Sequence, residues 1–252
     1  MKGDPAARGW MRIAPAAGLR DWAAAALPLA EAAVVTSAEP WRHGGTWFVG
    51  LDALPNDPAG RIGAVDFPWD VLPLQPCALH RAQVSVIRPG YPGADPDETE
   101  AAIRFRRSRD AAHLDGLLPV GPERRRMLQE PHAWILGLAL NRADAGAAPL
   151  VVWEGSHRIL AAQLARAFAP HPPEIWAEVD VTEAYAEARR TVFASCPRLE
   201  LPVEPGGATL LHRMTLHGVA PWAVGAEAAA PGRMIAYLRP QLPSVQAWLS
   251  GP

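Results

Sequence analysis

The chain has 252 residues and a formal net charge of −2, and 49% of its residues are hydrophobic while 20% are charged. This composition is typical of a globular protein with a substantial core and excludes a disordered chain. A net charge so close to zero gives no electrostatic reason to expect a nucleic acid or an acidic membrane as a partner.

The first third of the chain predicts one long helix and two strands. Leu19 to Val35 is rich in alanine and predicts a helix that Pro28 kinks or breaks. Thr46 to Leu54 alternates well enough for a strand, and the turn-forming residues Pro55 to Pro58 close it. Gln83 to Arg88 is rich in β-branched residues and predicts a second strand.

The rest of the chain predicts mostly short strands with two further helices. The charged segment from Asp95 to Arg109 suits either a loop with a helical turn or an irregular strand, and Pro122 to Gln129 predicts a short basic helix. Predicted strands are 133–140, 149–153, 199–203, 208–212, 216–220 and 233–238, and predicted helices run from Ser156 to about Phe168 and from Thr182 to about Ala194, each with its first residue as the N-cap.

Many short strands with Pro and Gly turns, preceded by a helix, predict a mainly β (α+β) fold of the jelly-roll or cupin-like barrel kind with flanking helices. No repeat or low-complexity linker divides the sequence, so we expect one domain over 1–252. Residues 1–75 form an N-terminal flank of helix and strand in this prediction. Residues 79–240 form the barrel core, with a helical insertion near 156–196.

Three features of the sequence predict a protein of the reducing cytoplasm. The longest apolar tract, Ala23 to Val35, contains Pro28 and Glu31 and is too short to cross a bilayer. The opening residues lack the apolar segment of a secretory signal. The two cysteines, Cys77 and Cys196, have no CxxC spacing and predict neither a zinc knuckle nor a disulfide framework.

The stretch from Asp110 to Pro119 contains the candidate metal ligands His113 and Asp115. In a β-strand, residues two positions apart point to the same face, so these two side chains would project together. The pair suits either a structural contact, in which the carboxylate fixes the imidazole tautomer, or two ligands of a metal site. Two histidines and one carboxylate with open positions opposite suit non-haem Fe(II) oxygenases.

A third ligand is available in the late strand pair around His212 and His217. We favour His217, because Gly218 follows it and leaves space for a ligand, whereas His212 has no small neighbour. His212 remains the alternative.

An ordered set of motifs resembles the phytanoyl-CoA dioxygenase family of Fe(II)- and 2-oxoglutarate-dependent oxygenases over about Gln83 to Arg239. The set consists of His113-x-Asp115, Trp153-Glu-Gly-Ser-His157, Pro205-Gly-Gly, Leu216-His-Gly218 and Arg233. The resemblance implies a double-stranded β-helix that binds Fe(II), 2-oxoglutarate as co-substrate and O2. It implies oxidation, most simply hydroxylation, of a small organic metabolite with formation of succinate and CO2.

The resemblance also implies the roles of individual residues. His113, Asp115 and His217 would be the metal ligands and the catalytic centre, and Arg233 would bind the distal carboxylate of 2-oxoglutarate. A planar guanidinium suits a bidentate carboxylate, which explains arginine at this position. Arg239 is the alternative, because it lies six residues later with the same strand parity.

Two upstream residues, Gln83 and Arg88, resemble the family's polar and basic positions and are further candidates for co-substrate binding. They are an odd number of positions apart, so in a regular strand at most one faces the site. The sequence also departs from the family: His217 and Arg233 are 16 positions apart, more than is usual, and Val219 stands where relatives often have a hydroxyl.

Two other functions stay open at the level of sequence. One is a cupin-like metalloenzyme that uses the same three ligands without 2-oxoglutarate. The other is a non-catalytic domain that binds a metal or ligand on the same scaffold. The sequence does not identify the substrate, because the contacts to it come from loops with no readable code, and it does not identify the oligomeric state.

Overall fold

The structure is a computed structural model and describes residues 2–250. The helices are α1 Pro5–Arg8, α2 Ala17–Thr36, α3 Glu100–Ser108, α4 Ser156–Phe168, α5 Thr182–Ser195 and α6 Val245–Ser250. The strands are β1 Lys2–Asp4, β2 Trp10–Ile13, β3 Trp47–Gly50, β4 Gln83–Ile87, β5 Leu117–Val120, β6 Arg125–Leu128, β7 Trp134–Ala139, β8 Leu150–Trp153, β9 Arg198–Leu201, β10 Ala208–His212, β11 His217–Val219 and β12 Arg233–Leu238.

The strands form three antiparallel sheets. The largest has seven strands in the order β1-β2-β10-β7-β12-β4-β3, and its neighbours β11-β8-β9 and β5-β6 are smaller. Strand β12 lies between β7 and β4 in the large sheet, where Ala236 pairs with Leu138 on one side and with Val84 on the other. This confirms the prediction of a sheet-rich protein with flanking helices.

One face of the seven-stranded sheet packs against α2. Alternate residues of its strands, including Phe48, Val84 and Leu136, are fully buried together with Leu19 and Trp22 of the helix. Strand periodicity places these residues on one face, and burial of their apolar side chains stabilises the helix on the sheet.

The other face of the large sheet packs against the three-stranded sheet. Trp10, Ile135 and Leu211 from the large sheet contact Leu150 and Val152 from the small one. The outer face of the small sheet packs against α4 and α5 in a separate apolar cluster. The molecule therefore has four layers, with a helix, two sheets and two helices in that order.

The predicted helix over Pro122 to Gln129 is wrong. The segment belongs to a hairpin of β5 and β6, whose turn contains positive φ angles at Gly121 (67°) and Arg124 (54°). Leu128 is fully buried and anchors the second strand. The open prediction for Asp95 to Arg109 resolves to α3, where Thr99 Oγ1 caps the helix by accepting from the Ala102 N–H at 3.2 Å.

Several boundaries also differ from the prediction. Pro28 lies within α2 and does not end it, because the helix continues to Thr36. Gly155, not Ser156, is the N-cap of α4, and the Ser156 hydroxyl instead accepts from the Leu216 N–H at 2.9 Å. Val181 is the N-cap of α5, so the predicted cap at Thr182 is also wrong.

Strands β1, β2 and β3, from the predicted N-terminal flank, belong to the same large sheet as the core strands.

The region near 156–196 contains α4, a 3-10 segment over Pro173–Glu178 and α5. Within residues 2–250, no helix has the length and hydropathy needed to cross a membrane.

Candidate metal centre

His113 and Asp115 lie in a loop and not in a strand, so that part of the prediction is wrong. The backbone preceding them is left-handed at Asp110 and Ala111 (φ 52° at each), and Gly116 (φ 83°) follows them. His113 makes only an isolated bridge with His217, in which each N–H donates to the other residue's carbonyl, at 2.8 and 3.1 Å. The bridge brings the two histidines side by side in spite of the irregular loop.

The three predicted ligands converge on one point. Asp115 Oδ1 lies 3.1 Å from His113 Nε2 and 3.6 Å from His217 Nε2. One ligand atom from each residue lies within 4.8 Å of the others, which is close enough for one ion to bind all three. His212, the alternative ligand, lies beside His157 instead, with 4.9 Å between ring centroids.

Backbone carbonyls fix which nitrogen of each imidazole faces the centre. His113 Nδ1 lies 3.0 Å from the Ala111 carbonyl oxygen, and His217 Nδ1 lies 2.9 Å from the Thr215 carbonyl oxygen. A carbonyl only accepts, so each Nδ1 carries the proton and donates. The Nε2 atoms are therefore the ones available to a metal, and this orientation by a neighbouring carbonyl is typical of metal-bound histidines.

The charges in the cluster perturb its protonation. Desolvation raises the pKa of Asp115, but the electrostatic interaction with His217 and the hydrogen bond from His113 outweigh it, so the pKa lies well below its ordinary value. Desolvation lowers the pKa of His113, and the hydrogen bond to Asp115 outweighs this and raises it above its ordinary value. Protonation of His113 therefore competes with binding of a cation at its Nε2.

Arg239 contacts the carboxylate from the opposite side. Its Nη1 donates to Asp115 Oδ2 at 3.1 Å, and its Nη2 donates to Gln83 Oε1. Its backbone N–H donates to His80 Nε2 at 2.9 Å. The sequence suggested Arg239 only as an alternative ligand for 2-oxoglutarate, and no sequence signal links it to Asp115, which is 124 positions away.

The three ligands open into a cavity of about 290 Å³. One side of it is apolar and is formed by Trp47, Val49, Leu51 and Leu118. A cavity of this size suits a small molecule, since ligand sites are mostly apolar with a few placed polar groups.

Arg233 lies deeper, on the same face of β12 as Tyr237. It lines a small cavity of about 20 Å³ that shares Ile135, Leu150 and Tyr237 with the metal cavity, so the two adjoin. Arg233 is 7% exposed, and its Nε has no hydrogen-bond partner. Among residues 2–250 no carboxylate lies within ion-pairing distance of it. Burial lowers the pKa of Arg233, and the nearby Tyr237 offsets only part of this effect.

Of the two upstream candidates, one lines the metal cavity and the other does not, as expected from their odd spacing along the strand. Gln83 lines the metal cavity and accepts from Arg239. Arg88 does not line it: its guanidinium lies over the Trp41 ring at 3.4 Å from the centroid, and its Nε donates to the Pro231 carbonyl.

A second cluster of possible ligand atoms, His43, Asp95 and Glu98, is closed by other contacts. The Glu98 carboxylate is paired with Arg106, and the Asp95 oxygens accept from the backbone N–H groups of His43 and Gly44. We assign no metal to this cluster, because its carboxylates are already satisfied.

A scan against protein-family models and a search of curated proteins found no match. The structure is similar to the epimerase SnoN in complex with Fe3+, alpha ketoglutarate and nogalamycin RO, with a TM-score of 0.48 and 15% identity over 93% of this chain and 79% of that one. It is similar to HygX from Streptomyces hygroscopicus with nickel, 2-oxoglutarate and hygromycin B bound, with a TM-score of 0.44 and 12% identity over 93% and 82% of the two chains.

A third similar structure is EctD from S. alaskensis with 2-oxoglutarate and 5-hydroxyectoine, with a TM-score of 0.42 and 15% identity over 92% of this chain and 72% of that one. TM-scores and identities this low do not carry an activity from one chain to another. Any activity proposed for this chain therefore rests on the side chains of its own site.

Proposed function

We propose that this protein is an Fe(II)- and 2-oxoglutarate-dependent oxygenase of the phytanoyl-CoA dioxygenase type that hydroxylates a small organic molecule. The observation that carries the proposal is the combination of His113, Asp115 and His217 around one point with a buried Arg233 in the adjoining cavity, which has no ion-pairing carboxylate among residues 2–250. The three ligands suit iron, and Arg233 suits the distal carboxylate of 2-oxoglutarate.

The donor set fits Fe(II). Two neutral imidazole nitrogens and one carboxylate are the ligands of non-haem iron oxygenases, and they leave three of six positions open for co-substrate and O2. Iron bound here would supply the activation of O2, coupled to the oxidative decarboxylation of 2-oxoglutarate to succinate and CO2. The protein would hold the ligands and fix the tautomers of the two histidines through the Ala111 and Thr215 carbonyls.

The buried positive charge of Arg233 favours binding of the distal carboxylate. A buried cation without an anionic partner is costly, and an anion that enters the cavity would offset this cost. Thr209 lines the same small cavity, and its hydroxyl is also buried without a partner. A forked guanidinium and one hydroxyl can together satisfy a carboxylate. The small cavity adjoins the metal cavity, so an extended dicarboxylate would contact both.

The substrate would occupy the wider part of the cavity. Its wall of Trp47, Val49, Leu51 and Leu118 provides apolar contact, and Leu51 is largely exposed at the rim. A small organic molecule with an apolar face would therefore lie against this wall, near the metal.

The architecture supports a double-stranded β-helix for a single domain. Two antiparallel sheets pack face to face, and His217 begins β11 of the small sheet while Arg233 begins β12 of the large one. The resemblance implies these positions for the distal histidine and the co-substrate arginine.

The first experiment measures metal binding. Anaerobic titration of the purified protein with Fe(II) or Co(II) should give one ion per chain, and His113→Ala should largely abolish uptake. His171→Ala is a matched control, since His171 lies in the turn after α4 and outside the cavity. Unchanged uptake in His113→Ala would refute the site.

The second experiment measures the co-substrate. Metal-loaded Arg233→Ala should lose 2-oxoglutarate affinity by about 2–5 kcal/mol, as for removal of one partner of a buried charge pair, while Arg88→Ala should retain it. Succinate formation under O2 should require Asp115 and 2-oxoglutarate. Product formation without 2-oxoglutarate would favour a cupin-like metalloenzyme, and metal binding without any turnover would favour a non-catalytic domain.

A further inference from the structure

We propose that Arg239 is a positioning residue that holds Asp115 Oδ2 and so leaves only Oδ1 for the metal. This inference rests on the proposed function, in which Asp115 is a metal ligand. It assigns to Arg239 a role different from co-substrate binding.

The two oxygens of Asp115 have different neighbours. Oδ1 faces His113 Nε2 and His217 Nε2 at 3.1 and 3.6 Å, whereas Oδ2 accepts from Arg239 Nη1 at 3.1 Å. A carboxylate that is held in this way presents one oxygen to the metal, because the other is occupied by a charge-assisted hydrogen bond.

Arg239 is itself fixed at three points. Gln83 Oε1 accepts from Nη2, Asp115 Oδ2 accepts from Nη1, and His80 Nε2 accepts from the backbone N–H. Gln83 lies on β4, in register with Tyr237 of β12, so the regular sheet positions the group that orients the guanidinium. The fork of arginine spans Gln83 and Asp115 together, which a lysine with one ammonium cannot do.

The consequence concerns the number of open positions at the metal. Three ligands that each donate one atom leave three octahedral positions, which bidentate 2-oxoglutarate and O2 require. If Asp115 loses Arg239, its carboxylate is free to turn and to bind through both oxygens, which would occupy one of these positions. The metal would then remain bound while the co-substrate binds poorly.

The test uses Co(II) as a spectroscopic probe in Arg239→Gln, Arg239→Lys and Gln83→Leu. We expect Co(II) affinity within about tenfold of the unchanged protein, an altered Co(II) visible absorption spectrum before any 2-oxoglutarate is added, and a fall in 2-oxoglutarate affinity of roughly 10–100-fold for Arg239→Gln. Arg239→Lys should show nearly the same loss of 2-oxoglutarate affinity as Arg239→Gln. Gln83→Leu should change the spectrum in the same direction by a smaller amount.

Arg88→Gln is the matched control, since it removes the same charge from outside the cavity and should leave the spectrum and both affinities unchanged. A normal Co(II) spectrum in Arg239→Gln, with or without loss of 2-oxoglutarate affinity, would overturn the positioning role. With such a loss, Arg239 would contact the co-substrate directly. If His113→Ala retains Co(II), the proposed function fails as well, so the two failures are distinguishable.

Discussion

The ion pair between Arg198 and Asp110 should stabilise the loop that carries His113. Asp110 is nearly inaccessible, with its side chain 3% exposed, and its two carboxylate oxygens accept from Arg198 Nε and Nη2 at 2.7 and 2.8 Å. Its backbone carbonyl accepts from the Val219 N–H at 2.9 Å. The pair therefore joins β9, the loop and β11 at one residue, and Arg198→Met would leave the carboxylate buried without a partner.

The magnitude follows from the burial of the carboxylate. Breaking a buried pair by removing one partner costs about 3–5 kcal/mol, and the lower end applies here because the Arg198 side chain is 40% exposed and admits water. Arg61→Met is the matched control. Arg61 Nε lies at the same 2.7 Å from Asp66, but the two side chains are 54% and 77% exposed. Its loss should cost at most about 1 kcal/mol.

Urea unfolding of the metal-free protein measures both losses under identical conditions. The double variant Asp110→Asn/Arg198→Met should recover part of the stability, because it removes the unpaired charge, and asparagine tolerates the left-handed backbone at position 110 (φ 52°). If Arg198→Met costs no more than Arg61→Met, burial does not set the strength of this pair and the reasoning is refuted.

Three further predictions concern the surroundings of the site. Tyr185→Phe leaves the buried Leu114 N–H, which donates to the Tyr185 hydroxyl at 2.9 Å, without its acceptor, so chemical denaturation should show a loss of about 1–3 kcal/mol. Gly218→Ala places a Cβ 2.1 Å from the Asp110 carbonyl oxygen, so the variant should lose about 1–3 kcal/mol and bind less metal, as thermal melting and metal analysis would show. Burial, then the charge of the adjacent arginine, lowers the pKa of His212 to about 3 from 6.5. Below pH 6.5 the unfolded chain therefore binds a proton at His212 that the folded chain does not bind. The free energy of unfolding should fall by up to about 1.4 kcal/mol for each unit by which the pH is lowered from 6 to 4. His212→Asn, which keeps an acceptor for the backbone N–H at position 214, should flatten this slope, and an unchanged slope would contradict the assignment.

Elements with strong periodicity were predictable from the sequence. The helices from Ser156 and from Thr182 and the strand from Arg233 were confirmed, because apolar residues at helical or strand spacing form one buried face in each. The hairpin over Leu117 to Leu128 was not predictable by this means. Its proline and charged residues are typical of a helix start as well as of a turn. The left-handed turn residues that form the hairpin leave no periodic signal in the sequence.

The candidate site shows a similar division. The spacing of His113, Asp115 and His217 was visible in the sequence, although the strand expected to align the first two is a loop. The contact of Arg239 with Asp115 joins residues 124 positions apart, and the chain between them contains no signal for it. Tertiary packing alone creates such pairs, so a single sequence identifies ligands more readily than the groups that orient them.

The backbone bridge between His113 and His217 has a consequence for how the protein would release an ion. Both hydrogen bonds of the bridge join the same two segments, so neither segment can move away without breaking both. A backbone movement that withdraws one imidazole from Asp115 therefore disturbs the segment of the other as well. Release of an ion through movement of the backbone is expected to open both segments together.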